Sequence, residues 1–291
     1  MSRQALQSIE DGSFACAVGL VVAALVAYGV SLALRRDRIS PRVGQALAGL
    51  AALALILSLA ARGLQPAEPR LPLTTLYEFT VCFVIGILGA FVVAAFRWDL
   101  RWAGPVIMAM AISGLRLARS NYSPVDDYLM AALRSPWRNV HIGTAILAYG
   151  PLALAAVTGA AAVIKYLAGG EPTGESDEGE RQLVPSADQL ESWTYSLISF
   201  GFVWLTALIV TGAIWAQEAW SKWWSWDPKE VWSLITWVIY LVYLHMRLVR
   251  GWRGMGAAIF AVVGFVAVLF TYLGVNWLTR ALNLESLHSY L

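Results

Sequence analysis

His141, His245 and His288 are the only three imidazoles in a chain of 291 residues. Imidazole nitrogen ligates haem iron or zinc and exchanges protons near neutral pH. Between His141 and His288 lies a run rich in indole rings. Half of the 14 tryptophans fall within 23 positions: Trp215, Trp220, Trp223, Trp224, Trp226, Trp232 and Trp237. Four of these occupy seven consecutive positions in the segment AQEAWSKWWSWDPKEVW. Aromatic faces stack on flat apolar molecules at little entropic cost. Two histidines brought beside such a surface suit axial ligation of a haem iron. Zinc competes for the same nitrogens, but it needs further Cys, His or carboxylate partners, and none is obvious nearby. A proton relay needs several membrane carboxylates, and Glu78 is almost the only one.

The elements that position these groups are membrane helices. Hydrophobic residues make up 58% of the chain, charged residues only 14%, and the mean hydropathy is +0.61. A soluble domain carries about 25% charged residues. Eight apolar runs are long enough to span a bilayer as helices. They cover 14–34, 43–62, 76–96, 102–118, 140–167, 193–215, 230–249 and 255–278. Helix is the only option for them, because lipid leaves no water to satisfy the backbone. The expected fold is therefore all-α and polytopic, with about eight transmembrane helices in one transmembrane domain. The first run is longer than a signal-peptide core and no small-residue cleavage site follows it, so it reads as a retained helix.

Orientation follows from arginine density. The short loops RRDRISPR, RWDLR and RLVRGWRG hold nine arginines, which marks them as cytoplasmic. Counted over all segments the balance is 11 Lys and Arg inside against 10 outside, so the short loops alone carry the inference. Both termini then lie outside. His141 falls at the outer start of the fifth span and His288 in the outer tail. His245 lies about 22 Å down the seventh span, at 1.5 Å per residue. An ionisable group at that depth points to function. The stretch 169–192 is acidic and rich in Gly and Pro, and reads as a flexible cytoplasmic loop.

Several residues admit bland roles. An aromatic belt at the membrane surface accounts for Trp215 and Trp237, but poorly for the dense cluster 220–226. Asp227-Pro228-Lys229-Glu230 has the form of a helix start, with Asp at the cap, Pro at the first position and Glu able to reach back. Arg134, Arg138, Lys222 and Lys229 are outer cations that could meet the carboxylates of an anionic ligand, or could be ordinary solvated charge. Cys16 and Cys82 lie inside apolar runs and form no CxxC. The net charge of +2 and the scattered basic residues argue against nucleic-acid binding.

The segment GAIWAQEAWSKWWSWDPKEVWSLITW resembles the tryptophan-rich WWD signature of haem-handling membrane proteins. LPLTTLYEF, SPWRNVHIGT, YLHMR, YLGVN and the terminal LHSY resemble further segments of the CcsA/ResC cytochrome c biogenesis family. The similarity runs from about residue 71 to 291. Ser221 stands where that signature usually has Gly, and Trp223 where Tyr is common. The resemblance implies that residues 216–229 form an outer haem-binding segment, with Trp220, Trp223, Trp224, Trp226, Asp227 and Glu230 beside the ring. It implies that His141 and His288 hold the outer haem iron. His245 would hold a membrane haem together with a histidine of a CcsB/ResB partner. The ligand would be haem b, held transiently as a substrate. Its vinyl groups would be joined to the thiols of CxxCH in an apocytochrome c, a holocytochrome c synthase activity of the complex. A bacterial plasma membrane, or a thylakoid, is the implied location. A haem carrier without lyase activity shares every one of these residues. A secondary transporter would need paired helix breaks near the midplane, and the Gly and Pro positions supply no matched pair.

Overall fold

The structure is a computed structural model that describes residues 1–34, 40–169 and 183–283. Among these residues there is no strand. The helices are α1 (Arg3–Ala33), α2 (Ser40–Gly63), α3 (Leu76–Ala95), α4 (Gly104–Ser120), α5 (Pro136–Leu167), α6 (Ala187–Trp220), α7 (Pro228–Arg250), α8 (Met255–Leu269) and α9 (Val275–Ala281). A π-helical turn, Phe270–Gly274, joins α8 to α9, so 255–281 runs as one rod. Seven helices are long and apolar enough to cross a membrane. The eighth expected span, α4, is a helix of 17 residues. The chain is thus an all-α, multi-pass membrane protein.

Capping explains most of the helix starts. Ser2, Ser135 and Ser186 each accept a backbone N–H with the side-chain oxygen. Thr75 with Glu78, and Asp227 with Glu230, form reciprocal capping boxes. Three boundaries move from the sequence expectation. Helix α1 begins at Arg3 because Ser2 caps it and Glu10 finds a buried partner in Arg62. Helix α5 begins at Pro136 rather than 140. Helix α6 runs from Ala187 to Trp220, taking in both the last part of the expected acidic loop and the first part of the expected outer segment. Residues 170–182 of that loop lie outside the described residues.

Glu191 corrects the loop reading directly. It is buried, accepts from the Arg247 guanidinium at 2.9 Å and from the Gly254 backbone at 2.6 Å, and is hydrogen-bonded by Tyr166. A negative charge counted as solvent-loving in sequence is here the partner that ties α5, α6 and α7 together at one end.

Helix α5 is the most buried span and α7 the least. Helix α5 packs on α3, α6 and α8, and α1 pairs with α2. Small residues bring the backbones close, as in lipid they must, since tails there are as apolar as leucine. A Cβ on Gly150 would overlap the carbonyl of Gly86, and one on Gly86 would reach within 2.9 Å of the Ile146 carbonyl oxygen. The antiparallel course gives two distinct ends. One gathers the starts of α3, α5 and α7 with the tryptophan-rich segment. The other gathers the ends of α3 and α7 with the arginine-bearing residues 97–101 and 250–253.

At the tryptophan end a buried charge cluster fixes the loops. Arg62, 1% exposed, pairs with Glu10 at 3.0 Å and with Glu78 at 2.6 Å. Its remaining nitrogen donates to the Ser123 carbonyl. Gln65 donates to the other oxygen of Glu10. Ionisable groups at membrane depth are held in pairs of this kind. Glu78 is therefore a structural anchor: its other oxygen accepts from the backbone N–H groups of Thr74 and Thr75.

Candidate functional site

The site is built where α3, α5, α6, α7 and the π-turn converge. They enclose a cavity of about 210 Å³. Its wall includes His141 and Arg138 from α5, Trp215 from α6, Lys229 and Glu230 from α7, and Trp223 and Trp224 from the connecting segment. Phe83, Tyr149 and Tyr272 form an aromatic floor: Tyr272 stacks on Phe83 at 5.5 Å, and Tyr149 meets Phe83 edge-on at 5.9 Å. The π-turn places Thr271 and Tyr272 on this wall, and single π-turns inside α-helices recur at functional sites.

His141 is oriented by the backbone. Its Nδ1 lies 2.9 Å from the carbonyl oxygen of Leu208. A carbonyl can only accept, so Nδ1 carries a proton, and in the neutral ring Nε2 is the ligating nitrogen. This is how protein metal ligands are usually prepared, with the second ring nitrogen held by a carbonyl or carboxylate. The ring packs against Trp215 at 5.7 Å. Trp215 in turn donates its indole N–H to the Ala132 carbonyl and packs on Trp220. Gly212 makes the fit possible, because a Cβ there would stand 2.9 Å from Cε1 and Nδ1 of His141. The sequence offered no sign of this role.

The tryptophans divide. Trp223 and Trp224 line the cavity, whereas Trp220 packs on Trp215 and Trp226 on Trp224, off the lining. Trp223 is 59% exposed, so the wall reaches the surface at that indole ring; Trp226, off the wall, is 71% exposed. Two residues of the segment have left-handed backbone, Ser221 at φ 59° and Trp226 at φ 60°. Ser221 is the C-cap of α6. Glycine takes this conformation without penalty, whereas a serine pays for it. For an aromatic residue such a φ is an outlier, held only where the surroundings over-determine it.

Asp227 and Glu230 act first as scaffolding. Glu230 accepts from the backbone N–H groups of Ser225 and Asp227 and from the Ser225 hydroxyl. Asp227 is buried and accepts from the Lys229 N–H. Together they fix the segment that presents Trp223 and Trp224. The four candidate cations also separate. Arg138 is 3% exposed, lines the cavity, and donates only to the Asn139 side chain among the described residues; its Nη1 is buried with no acceptor. Lys229 is half-buried in the same wall. Arg134 and Lys222 are exposed and lie off it.

His245 lies at the far end of α7, on an exposed face with Val238, Leu241, Val242 and Val249. His288 lies outside the described residues, as do Glu285 and Ser286. Among the described residues no group of three His, Cys, Asp or Glu side chains gathers as a metal site.

Comparison with known proteins places the chain in a family. Residues 43–283 match the family model of the cytochrome C assembly protein. A cytochrome c biogenesis protein CcsA of Prochlorococcus marinus (strain MIT 9515) is 36% identical, over 73% of this chain and 74% of its own. The CcsA of Gloeobacter violaceus is 31% identical, over 98% of this chain and 96% of its own. Among solved structures, a cytochrome c haem lyase CcmF superposes with a TM-score of 0.70 at 18% identity. That match covers 94% of this chain but 47% of CcmF, so this chain spans about half of that larger protein and shares its fold. A chain with seven long apolar helices among its described residues and this breadth of similarity belongs to the cytochrome c assembly family, among the CcsA cytochrome c biogenesis proteins.

Proposed function

We propose that the cavity at the tryptophan end receives haem b as a substrate and presents it for covalent attachment to an apocytochrome c. The observation that carries this reading is the composition of one wall. An imidazole held through its Nδ1–H, three indoles, a buried guanidinium with one nitrogen lacking an acceptor and a half-buried ammonium all meet there. Haem has complementary parts: an iron, an apolar ring and two propionates. The name of the CcmF neighbour, a haem lyase, supports the same chemistry.

His141 supplies one axial ligand through Nε2, and His288 the second. Arg138 and Lys229 meet the propionates through charge-assisted hydrogen bonds, which are about twice as strong as neutral ones. Trp223 and Trp224 cover the ring, at about 25 cal/mol per Å² of apolar surface removed from water. Asp227 and Glu230 hold that segment in place. The incoming CxxCH histidine displaces one axial imidazole. Each cysteine thiol then adds across a vinyl group: the S–H bond breaks, sulfur bonds to one vinyl carbon and hydrogen to the other. The addition is redox-neutral once the thiols are reduced. The protein contributes positioning, which converts a bimolecular reaction into a local one. No general base is assigned, and the chain contains no CxxCH of its own.

The tryptophan end faces the outside of a bacterial plasma membrane, with both termini there, because the short arginine-rich loops mark the other end as cytoplasmic. His245 binds haem on its way, with a histidine from a CcsB/ResB partner. The exposed apolar face of α7 around His245, on the least buried span, supports a partner at that surface.

The test is reconstitution of the purified complex with haem, a reductant and a CxxCH peptide. A thioether product detected by mass is expected. Haem binding without product would instead make the protein a haem carrier.

A further inference from the structure

We propose a second ligand site at the opposite end of the bundle, specific for a phosphate oxyanion and formed by Arg42, Arg97 and Arg101. A separate pocket of about 390 Å³ opens there between the start of α2, the end of α3 and the loop leading to α4. All three arginines line it, with Asp99 the only carboxylate among the described residues that do.

Arg101 distinguishes this pocket from a solvated basic patch. It is 8% exposed, and one nitrogen pairs with Asp99 at 2.8 Å. Its Nε is buried with no acceptor. Buried donors of this kind are rare in native structures and ask for a partner. Asp99 itself is mostly exposed, and it balances one of three positive charges. Arg42 and Arg97 stand exposed on the rim and form no ion pair among the described residues. The net excess of guanidinium suits an anion.

The pocket is also rigid. Its floor is the ring of Tyr28, gripped between Gly44 and Gly104: a Cβ at Gly44 would stand 2.7 Å from the ring, and one at Gly104 would overlap it. Gln45 donates to the Val92 carbonyl and ties α2 to α3. Trp98 stacks on Trp193 of α6 at 5.1 Å, with the planes 10° apart. Fixed guanidinium forks match phosphate oxygens, several of which can be shared among three arginines. A phospholipid headgroup and a free phosphate present this same chemistry. Basic pockets between helices at the cytoplasmic surface are known to take anionic headgroups.

The experiment uses the full chain in nanodiscs of equimolar phosphatidylglycerol and phosphatidylcholine, released for native mass spectrometry. A parallel titration adds inorganic phosphate both to these nanodiscs and to the chain in phosphatidylcholine alone. The wild type is expected to retain phosphatidylglycerol in preference to phosphatidylcholine. In Arg42→Gln/Arg97→Gln that preference falls roughly thirtyfold, from the attraction each arginine makes to an anionic surface. Both residues are exposed, so the variant keeps its fold, checked by its melting temperature in phosphatidylcholine. Retained phosphatidylglycerol that inorganic phosphate does not displace identifies the headgroup as ligand. Saturable phosphate binding without lipid preference, lost in the variant, identifies a soluble phosphate. Equal retention of the two lipids with no phosphate binding, or undiminished binding in the variant, overturns the site.

Discussion

The imidazole of His141 on α5 is aimed by the main chain of α6, through the 2.9 Å hydrogen bond from Nδ1 to the carbonyl oxygen of Leu208. A ligand set of this kind depends on the spacing of two helices as much as on the histidine itself. Gly212, one turn beyond Leu208, sets that spacing. Gly212→Ala adds no charge, yet its Cβ would displace the ring. It is expected to abolish holocytochrome formation as completely as His141→Ala. Gly143→Ala, on the same helix as His141 but in open space, is the control and should be active. Normal cytochrome maturation in Gly212→Ala would show that the ring need not stay where it is.

The cations give a second test. Arg138 and Lys229 line the cavity, and Arg134 and Lys222 do not. Arg138→Gln and Lys229→Gln should each weaken haem retention by about tenfold, the loss of one charge-assisted hydrogen bond. Arg134→Gln and Lys222→Gln should leave it unchanged. Titration of each purified variant with haem, followed by absorption, distinguishes the pairs. Equal effects from all four would reduce the charges to a diffuse field.

Ser221 adopts a left-handed backbone that costs a non-glycine residue about 1 kcal/mol. Ser221→Gly should therefore lengthen the thermal inactivation half-life of the detergent-solubilised protein, with haem binding retained. A shorter half-life would mean that the serine side chain contributes more than its backbone loses.

The buried cluster of Glu10, Arg62 and Glu78 predicts a stability effect without a catalytic one. Arg62→Ala leaves two carboxylates buried without their cation, a loss of about 3–5 kcal/mol. Limited proteolysis in the segment 64–75 should accelerate well before haem binding fails. A wild-type digestion rate would show that the cluster does not hold that loop.

Much of this was legible in the sequence because its signals are local. Apolar length gave the helices, and Asp227-Pro228-Lys229-Glu230 announced both a helix start and its capping box. The spacing of Trp220, Trp223, Trp224 and Trp226 marked the segment, although only Trp223 and Trp224 line the cavity. What stayed hidden depends on distant partners. Glu191 reads as loop charge until Arg247, 56 positions away, is packed beside it. Arg138 and Arg134 look equivalent until burial separates them, Arg138 inside the start of α5 and Arg134 exposed before it. Gly212 has no signature at all, since its role is the space it leaves for another side chain. His288 lies beyond the described residues, so its convergence with His141 is the step that measurement must supply.

Absorption and resonance Raman spectra of the haem-loaded complex measure that convergence most directly. The wild type should show a low-spin iron with two imidazole ligands. His141→Ala and His288→Ala should each lose that signature, and added imidazole should restore it in both. An unchanged two-imidazole spectrum in either variant would mean that the two histidines do not share one iron.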